Sequence, residues 1–223
     1  MRTALITGAS RGIGAAIAAA LAPTHTLLLA GRPSPALQGV AERLGVTTLP
    51  LDLTDTDAIP AATAAIGELD VLVHNAGVFF PGPAADSTVD HWRATLEVNV
   101  VGAVAITLAL LPALRRAGGQ VVFINSGTGR KASATMASYS ASKFALRAFA
   151  DSLRESEPTL RVTTVYPGRV DTDMQRALVS FEGGDYDPDR FLRPDTVADV
   201  VAGVVATPAD GHVHEVVIRP RAR

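Results

Sequence analysis

Tyr139 and Lys143 are the two residues whose types and spacing point most directly to chemistry. They stand four positions apart near the start of a predicted helix, and residues so spaced project from the same helix face. A tyrosine phenol, with an ordinary pKa of about 10, exchanges protons poorly near neutrality. A neighbouring ammonium stabilises the phenolate and is expected to lower the pKa of Tyr139. The pair is a candidate general acid and base beside a carbonyl group, and a structural pair without chemistry is the alternative.

Two further polar residues are candidates for the same site. Ser126 ends a predicted strand, thirteen residues before Tyr139, and strand ends form the ligand crevice of open α/β sheets. Its hydroxyl could hydrogen-bond a substrate carbonyl oxygen, and an ordinary strand-end or turn residue is the alternative. Asn99 lies within an apolar helical stretch and needs a hydrogen-bond partner if it is buried. A role in helix bending or packing alone would also account for Asn99.

A glycine-rich turn precedes the first predicted helix and suits an anionic ligand. Gly8 permits a tight turn, Gly12 lets the backbone approach a pyrophosphate, and Gly14 lets the helix pack closely on the sheet. Amides at a helix N-terminus face such an anion, and the helix dipole favours its charge. A strand–turn–helix connection without a ligand is the alternative. The candidate cofactor-binding residues of this turn are Gly8, Ser10, Arg11, Gly12, Ile13 and Gly14.

The end of the second predicted strand indicates which nicotinamide dinucleotide would bind. An acidic residue there accepts the ribose 2′-hydroxyl of NAD(H), whereas an arginine accommodates the 2′-phosphate of NADP(H). The strand is followed by Gly31 and Arg32 without an acidic residue, and Arg11 is a second cation placed to reach the same phosphate. The sequence therefore predicts NADP(H) in preference to NAD(H). Two solvated surface arginines are the alternative.

Short apolar runs alternate with longer helical stretches, and these elements must position the candidate residues. The alternation predicts parallel βαβ units around one sheet whose two faces are both covered. We therefore expect an α/β fold of the Rossmann type, a doubly wound parallel sheet of about seven strands in a single domain over residues 1–223. The predicted strands are Ala4–Ile6, Thr26–Ala30, Val46–Leu51, Asp70–His74, Gln120–Asn125, Arg161–Val165 and Val213–Ile218. The predicted helices are Gly14–Leu21, Ala36–Leu44, Ile59–Ile66, Val89–Arg116, Ala137–Glu155 and Thr196–Val205, the last opened by an Asp195/Thr196 cap.

One stretch, Gly168–Arg193, is predicted to be irregular. Acidic residues outnumber arginines within it, and it contains the pair Gly183-Gly184. A long loop inside a compact domain is usually either a functional lid or disordered. We predict that residues 168–193 form a lid over the substrate.

Composition excludes several classes of protein. Of the 223 residues, 48% are hydrophobic and 19% charged, so a mostly disordered chain is excluded. The lack of cysteine excludes disulfides, thiol catalysis and thiolate metal sites, and His212 and His214 have no third ligand spaced nearby, so no metal site is predicted. The formal net charge of −2 favours neither nucleic acid nor a membrane surface as a partner. The uncharged run Val98–Leu114 is interpreted as a buried helix rather than a membrane span. Because no secretory signal is found either, a cytoplasmic location is expected.

The spacing of Gly8, Gly12 and Gly14 resembles the glycine motif of the short-chain dehydrogenase/reductase family. A serine thirteen residues ahead of a Tyr-x-x-x-Lys segment matches the same family, although Asn125 stands where many relatives carry a first serine. Six such motifs occur in the family's order and at suitable spacing between Thr3 and Thr172. On these motifs the chain is identified as a member of the family.

The resemblance implies a role for each of the four candidate catalytic residues. Ser126 would hold the substrate oxygen and Tyr139 would exchange a proton with it. Lys143 would tune Tyr139 and also bind the nicotinamide ribose. Asn99 would hold a water in a proton relay to Lys143.

The resemblance also implies a cofactor-binding role for residues that follow the other strands. Asn75, Ala76 and Gly77 would lie near the adenosine ribose and the centre of the sheet. Asp52 and Leu53 would contact the adenine, with a simple helix cap as the alternative for Asp52. The segment beginning at Pro167 would hold the nicotinamide carboxamide through the backbone of Val170 and the hydroxyl of Thr172.

The implied reaction is reversible hydride transfer between NADP(H) and a small-molecule carbonyl or alcohol, with aldehyde or ketone reduction expected. A non-catalytic NADP(H)-binding redox sensor is the alternative, and a lyase or epimerase that uses the same cofactor is less favoured. The pocket is expected to be lined by Phe79, Phe80, Thr128, Met136 and parts of the lid at Gly168–Arg193. These residues are mainly apolar and favour a hydrophobic or modest aldehyde or ketone over a phosphorylated one. Packing of these side chains at the surface is the alternative.

Oligomerisation is expected from the two long predicted helices that begin at Val89 and Ala137. They are apolar over much of their surface, and by resemblance they would pair across a homodimer or within a homotetramer. The chain lacks the glycine-rich ending common in the family, which leaves dimer and tetramer both open. A purely internal core role for the two helices is the alternative.

Overall fold

The computed structural model, which describes residues 1–221, contains one sheet of seven parallel strands in the order β3-β2-β1-β4-β5-β6-β7. The strands are β1 (Arg2–Thr7), β2 (His25–Gly31), β3 (Thr47–Pro50), β4 (Val71–His74), β5 (Gln120–Ile124), β6 (Arg161–Pro167) and β7 (Glu215–Ile218). The α-helices are α1 (Gly12–Leu21), α2 (Pro35–Leu44), α3 (Ile59–Thr63), α4 (Val89–Leu96), α5 (Gly102–Ala117), α6 (Ala137–Ser156), α7 (Asp173–Phe181) and α8 (Pro194–Val205). This architecture confirms the expected doubly wound α/β fold of the Rossmann type.

The sheet lies between two apolar layers because its central strands are buried on both faces. One layer packs α1, α2 and α8 against one side of the sheet, with Ile17, Leu37 and Val201 among its buried residues. The other packs α3, α5 and α6 against the opposite side, with Ile106 and Leu146 among its buried residues. The continuous apolar runs of the strands are therefore explained by burial, as expected for parallel sheets.

The winding direction reverses between β1 and β4, and the two strands end side by side at that point. Thr7, the last residue of β1, joins them with its hydroxyl, which accepts hydrogen bonds from the backbone N–H groups of Asn75 and Ala76 at 3.1 Å each. The Thr7 hydroxyl donates to the carbonyl oxygen of Val73 at 3.3 Å. Such reversal points form the ligand crevice of open α/β sheets.

Three expectations about helices are corrected by the structure. The stretch 168–193 is not wholly irregular, because Thr172 caps the N-terminus of α7 through the backbone N–H of Gln175. The helix expected over Val89–Arg116 is interrupted by a π-helical turn at Glu97–Val101 between α4 and α5. Helix α8 begins at Pro194 without a side-chain cap, so the expected Asp195/Thr196 cap is wrong; a proline in the first turn starts this helix.

The remaining element boundaries differ from the predictions by up to three residues. Helix α3 ends at Thr63 rather than at residue 66, and β7 begins at Glu215 rather than at residue 213. Strands β1 and β6 are longer than predicted because their ends also pair in the sheet. None of these shifts moves a candidate site residue away from the carboxyl edge of the sheet.

The helical run Val89–Ala117 is long and apolar enough to cross a membrane by length and composition alone, and its most apolar 18 residues have a mean hydropathy of 1.9. In the structure one face of α5 packs in the core, where Ile106, Leu110 and Leu114 are buried. This burial agrees with its interpretation as a core helix. Among residues 1–221, no group of three or more histidine, aspartate or glutamate side chains is arranged to hold a metal ion.

Candidate active site

Tyr139 and Lys143 lie together on the buried face of α6. Their exposed fractions are 9% and 3%, and the Lys143 Nζ atom lies 5.6 Å from the centre of the Tyr139 ring. The Nζ atom donates a hydrogen bond to the carbonyl oxygen of Ile124 at 3.0 Å. Because Ile124 is the last residue of β5, this bond fixes the amine at the carboxyl edge of the sheet. The four-residue spacing therefore gives the shared helix face that was predicted.

The expected fall in the pKa of Tyr139 is wrong. Burial raises the pKa of Tyr139 to about 12, and a hydrogen bond with the Ser126 side chain opposes part of that rise. Burial also lowers the pKa of Lys143 to about 8, which is still above neutral pH, so the amine stays mostly charged there. Burial therefore dominates the pKa of Tyr139, although the amine that lies 5.6 Å from the centre of its ring stays mostly charged. Tyr139 is held in its protonated form, as a proton donor requires.

Ser126 lies two residues after the end of β5, rather than ending the strand as predicted, and it caps a short 3₁₀ turn at Gly127–Gly129. Its backbone N–H donates to the Asn125 Oδ1 atom at 2.8 Å, and the Asn125 Nδ2 atom donates to the carbonyl oxygen of Lys143 at 3.0 Å. Asn125 therefore ties the serine to the helix that carries the other catalytic candidates. A Cβ atom at Gly129 would lie 2.1 Å from Asn125 Oδ1, so only glycine fits beside this link.

Asn99 lies in the π-helical turn and is 2% exposed. Its Oδ1 atom accepts from the Val78 backbone N–H at 2.8 Å, and its Nδ2 atom donates to the Val78 carbonyl at 3.0 Å and to Ser142 Oγ at 3.0 Å. The side-chain amide thus joins the loop after β4 to α6. A Cβ atom at Gly77 would lie 3.3 Å from Asn99 Oδ1 and 3.9 Å from Lys143 Nζ, so the asparagine and the lysine border the same space. The role of Asn99 in a water relay to Lys143 stays a prediction.

The glycine turn lies against the loop that follows β4. Gly8 and Gly12 have φ values of 67° and 53°, in the left-handed region that favours glycine. A Cβ atom at Gly8 would lie 2.7 Å from Ala76 Cα, and one at Gly14 would lie 2.3 Å from the Gly8 carbonyl oxygen. The Asn75 Nδ2 atom donates to the same Gly8 carbonyl at 2.9 Å. Two of the predicted cofactor-binding segments, the glycine turn and residues 75–77, are therefore brought together.

The N-terminus of α1 is suited to an anion. The helix begins at Gly12, has no side-chain cap and carries no acidic residue in its first turn. The backbone N–H groups at its start, among them those of Gly12, Ile13 and Gly14, are left for an external acceptor, and the helix dipole favours a negative one. The residues present therefore fit the pyrophosphate of a dinucleotide.

The two arginines predicted to bind a 2′-phosphate lie near acidic partners. The Arg11 Nε atom lies 3.4 Å from Asp173 Oδ2 at the start of α7, and both side chains are exposed. Asp52 has a lowered pKa, chiefly because its carboxylate accepts from the backbone and hydroxyl of Thr54, with a smaller contribution from the charge of Arg32. The Asp52 carboxylate therefore caps a turn. The predicted contact between Asp52 and the adenine would not require the hydrogen bonds of this turn to break.

The segment after β6 meets the glycine turn. The Thr172 hydroxyl accepts from the Gln175 N–H at 3.3 Å and donates to the Val170 carbonyl at 3.2 Å. A Cβ atom at Gly12 would lie 3.2 Å from the Thr172 methyl group. The Thr172 hydroxyl is thus used as a helix cap, and its predicted contact with the nicotinamide carboxamide would replace or share these bonds.

Two other predicted cofactor-binding residues lie elsewhere in the fold. Pro167 ends β6, and Leu53 lies against Gly102 at the start of α5.

The predicted pocket residues do not all face the catalytic pair. The Phe79 ring packs edge-on against Tyr139 with centres 5.4 Å apart, so it forms a wall beside the phenol. The Phe80 ring instead stacks on His91 of α4, with centres 4.6 Å apart. Met136 forms an isolated bridge with Gly82, just before α6.

His74 is a buried residue of the site that sequence reasoning did not single out. It ends β4, stacks on Phe123 with ring centres 4.6 Å apart, and its Nε2 atom lies 2.8 Å from Thr107 Oγ1. Burial and the nearby charge of Lys143 lower the pKa of His74 to about 3, so it stays neutral. Because His74 is neutral, it does not repel the positive charge of Lys143.

Comparison with known proteins places the chain in a family. The family model for short chain dehydrogenases matches residues 2–183, and the chain belongs to this family. It is 35% identical to glycine betaine reductase of Emericella nidulans over 99% of this chain, but spans only 19% of that protein. It is 31% identical to an uncharacterized oxidoreductase of Staphylococcus epidermidis, over 98% of this chain and 97% of that protein. The chain is therefore an oxidoreductase of the short-chain dehydrogenase/reductase family.

Solved structures with the same fold include nicotinamide complexes. An alcohol dehydrogenase from the archaeon Thermococcus sibiricus, complexed with 5-hydroxy-NADP, has a TM-score of 0.89 and 29% identity over 100% of this chain and 99% of that one. A metagenomic short-chain oxidoreductase in complex with NADP has a TM-score of 0.83 and 32% identity over 100% of this chain and 98% of that one.

Lys143→Met is expected to change how stability depends on pH. Because the pKa of Lys143 is about 8 in the folded protein against 10.5 for the free side chain, the unfolded chain binds more protons between these values and stability rises with pH. From about pH 8 to about pH 9.5 the wild type should gain ~1.5 kcal/mol relative to the variant. Urea denaturation measures this difference. The exposed Lys131→Met is the control, and parallel curves for wild type and Lys143→Met would contradict the burial of a titrating amine.

Proposed function

We propose that this oxidoreductase uses NADP(H) to interconvert a small carbonyl compound and the corresponding alcohol. The observation that carries the proposal is the buried pair Tyr139 and Lys143 beside Ser126, at the carboxyl edge of the sheet and next to the glycine turn. Similarity to an alcohol dehydrogenase and to a protein called a reductase supports this reaction class. The neutral, protonated phenol is suited to give a proton to a carbonyl oxygen.

The cofactor would lie along the carboxyl edge of the sheet. Its pyrophosphate would meet the backbone N–H groups of the glycine turn, at Ser10, Gly12 and Ile13, and its nicotinamide would lie towards Val170. The bound nicotinamide supplies or accepts the hydride, and the protein orients the reactants and controls the proton. Lys143 would bind the ribose hydroxyl groups, because its amine already lies at the strand end.

Proton transfer is assigned to residues of this chain. Ser126 would donate a hydrogen bond to the substrate carbonyl oxygen, and Tyr139 would transfer its phenolic proton to that oxygen as negative charge develops. The charged amine of Lys143 would then stabilise the phenolate left behind, and Asn99 would connect the amine to solvent. In the direction of alcohol oxidation the phenolate would accept the proton.

An apolar aldehyde or ketone is the proposed substrate class. The Phe79 ring beside Tyr139 offers an apolar wall, and it carries no charge that would favour a phosphorylated substrate. A non-catalytic redox sensor is the alternative function, and the retained set of Ser126, Tyr139 and Lys143 argues against it, because a sensor needs no proton donor. Small-molecule partners alone, without nucleic acid or a membrane, and a cytoplasmic location are part of the proposal.

A homodimer or homotetramer is also proposed. The large apolar side chains of Val101, Leu108 and Phe144 are exposed by 44%, 58% and 41% on the outer faces of the helical run 89–117 and of α6. Covering these side chains with a second copy of the chain would remove apolar surface from water. The proposal leaves open which of the two assemblies forms.

Tyr139→Phe is expected to separate cofactor binding from turnover. The variant keeps the ring and loses the proton donor, so kcat for an accepted carbonyl should fall about 10²- to 10⁴-fold, the usual contribution of general acid catalysis. NADPH fluorescence should show a Kd within about threefold of the wild type, since a phenolic hydroxyl adds at most a modest hydrogen bond. The assay follows NADPH absorbance with a panel of aldehydes, ketones and quinones.

Tyr166→Phe is the matched control for that experiment, because it also removes a buried phenol, one whose hydroxyl contacts Glu215 on β7. It should retain most of the turnover. Near-native kcat in Tyr139→Phe would reject the proton-donor role. A wild type that binds NADPH and turns over none of the panel would favour the sensor.

Cofactor preference should depend on Arg11 and Arg32. Replacing both with alanine should raise the Kd for NADPH about ten- to a hundredfold and leave the Kd for NADH nearly unchanged, because charged hydrogen bonds to the 2′-phosphate are lost. Asp173→Asn should lower the Kd for NADPH by a few fold, since it releases Arg11 from an exposed ion pair. Calorimetry with both cofactors measures these changes, and the exposed Arg93→Ala on α4 is the control. Tighter binding of NADH by the wild type would refute the preference.

A further inference from the structure

We infer that Thr128 is a positioning residue that directs the proton of the Ser126 hydroxyl towards the reacting oxygen. The inference rests on the proposed function and adds a determinant of its proton geometry. Thr128 lies two residues after the serine, in the 3₁₀ turn Gly127–Gly129, and is partly buried. Its side chain and its backbone both contact the serine.

Both acceptor sites of the Ser126 oxygen are filled by Thr128. The Thr128 backbone N–H donates to Ser126 Oγ at 3.2 Å, and the Thr128 hydroxyl donates to the same atom at 3.0 Å. A serine hydroxyl has two acceptor lone pairs and one proton to donate. With both lone pairs engaged, Ser126 is left only its proton, and it acts as a donor alone.

A donor-only serine suits the reaction in two ways. Ser126 lies within hydrogen-bond reach of the Tyr139 side chain, and with its lone pairs engaged by Thr128 it has only its proton to offer there. Because Ser126 has no free lone pair, it does not accept the phenolic proton, which stays available for the substrate oxygen. The serine proton also points at the place where negative charge develops, and donors aimed there lower the barrier.

The turn that holds Thr128 is itself fixed. The Asn125 Oδ1 atom accepts from the Ser126 N–H at 2.8 Å and fills the space beside Gly129, where a Cβ atom would lie 2.1 Å away. A guanidinium nitrogen of Arg219 would lie 3.0 Å from a Cβ atom at Gly127. With contacts on both sides, the turn holds the threonine hydroxyl at hydrogen-bond distance from the serine.

Thr128→Val tests the inference, because valine keeps the shape and the backbone N–H but removes the hydroxyl donor. One lone pair of Ser126 is then open, and the serine can turn its proton away from the substrate. We expect kcat to fall about three- to tenfold, the equivalent of one hydrogen bond, with the KM for substrate and the Kd for NADPH nearly unchanged. Thr128→Ser restores the donor and should recover most of the loss.

The same substitution in a Ser126→Ala background shows whether Thr128 acts through the serine. We expect Thr128→Val to have no further effect on kcat there, because residues that act through one another are not additive. An equal loss in both backgrounds would overturn the inference, as would a change confined to KM, which would make Thr128 a substrate contact. Full kcat in Thr128→Val would overturn it too.

Failure of the proposed function gives a different pattern. If Ser126→Ala keeps full kcat, the serine has no catalytic role, and the inference falls with the proposed function. If Ser126→Ala is impaired and Thr128→Val is not, only the positioning role is refuted. Unchanged NADPH binding and urea unfolding of each variant show that the protein is folded.

Discussion

The site depends on burying a phenol and an amine beside each other at the edge of a parallel sheet. Burial disfavours the charged form of each, so it raises the pKa of Tyr139 to about 12 and lowers that of Lys143 to about 8. The amine is held in place by the carbonyl of Ile124 and has a neutral His74 nearby. Near neutral pH the pair therefore holds its proton on the phenol, while the amine stays mostly charged.

The fold supports this pair through polar side chains that join the ends of neighbouring strands. Thr7 links the ends of β1 and β4, Asn99 links the loop after β4 to α6, and Asn125 links the end of β5 to the same helix. Each buried amide or hydroxyl is satisfied by backbone groups on another element, which fixes the loops without a large apolar core at the edge. The crevice is thus shaped by hydrogen bonds, and the layers on either side of the sheet by apolar packing.

Much of this arrangement could be predicted from local sequence. Tyr139 and Lys143 share a helix face because helical spacing requires it, and the apolar strand runs indicated a sheet covered on both faces. The direction of the Tyr139 pKa could not be predicted, because the depth of burial depends on the packing of distant elements such as Phe79. Helix α7 was not predicted, because it lies in a segment rich in acidic residues. The two hydrogen bonds from Thr128 to Ser126 depend on the geometry of the 3₁₀ turn, which the spacing of the two residues does not predict.

Ionisation of Tyr139 in the cofactor-free protein is the most direct test of the central claim that burial keeps this phenol protonated. The ultraviolet absorbance of tyrosinate, recorded as the pH is raised and corrected with Tyr139→Phe, isolates this residue from Tyr166 and Tyr186. The account predicts no Tyr139 signal below about pH 10.5, half a unit above the ordinary tyrosine pKa of about 10. A Tyr139 step centred between about pH 7 and about pH 9 would show instead that the lysine charge outweighs burial, and would contradict the account.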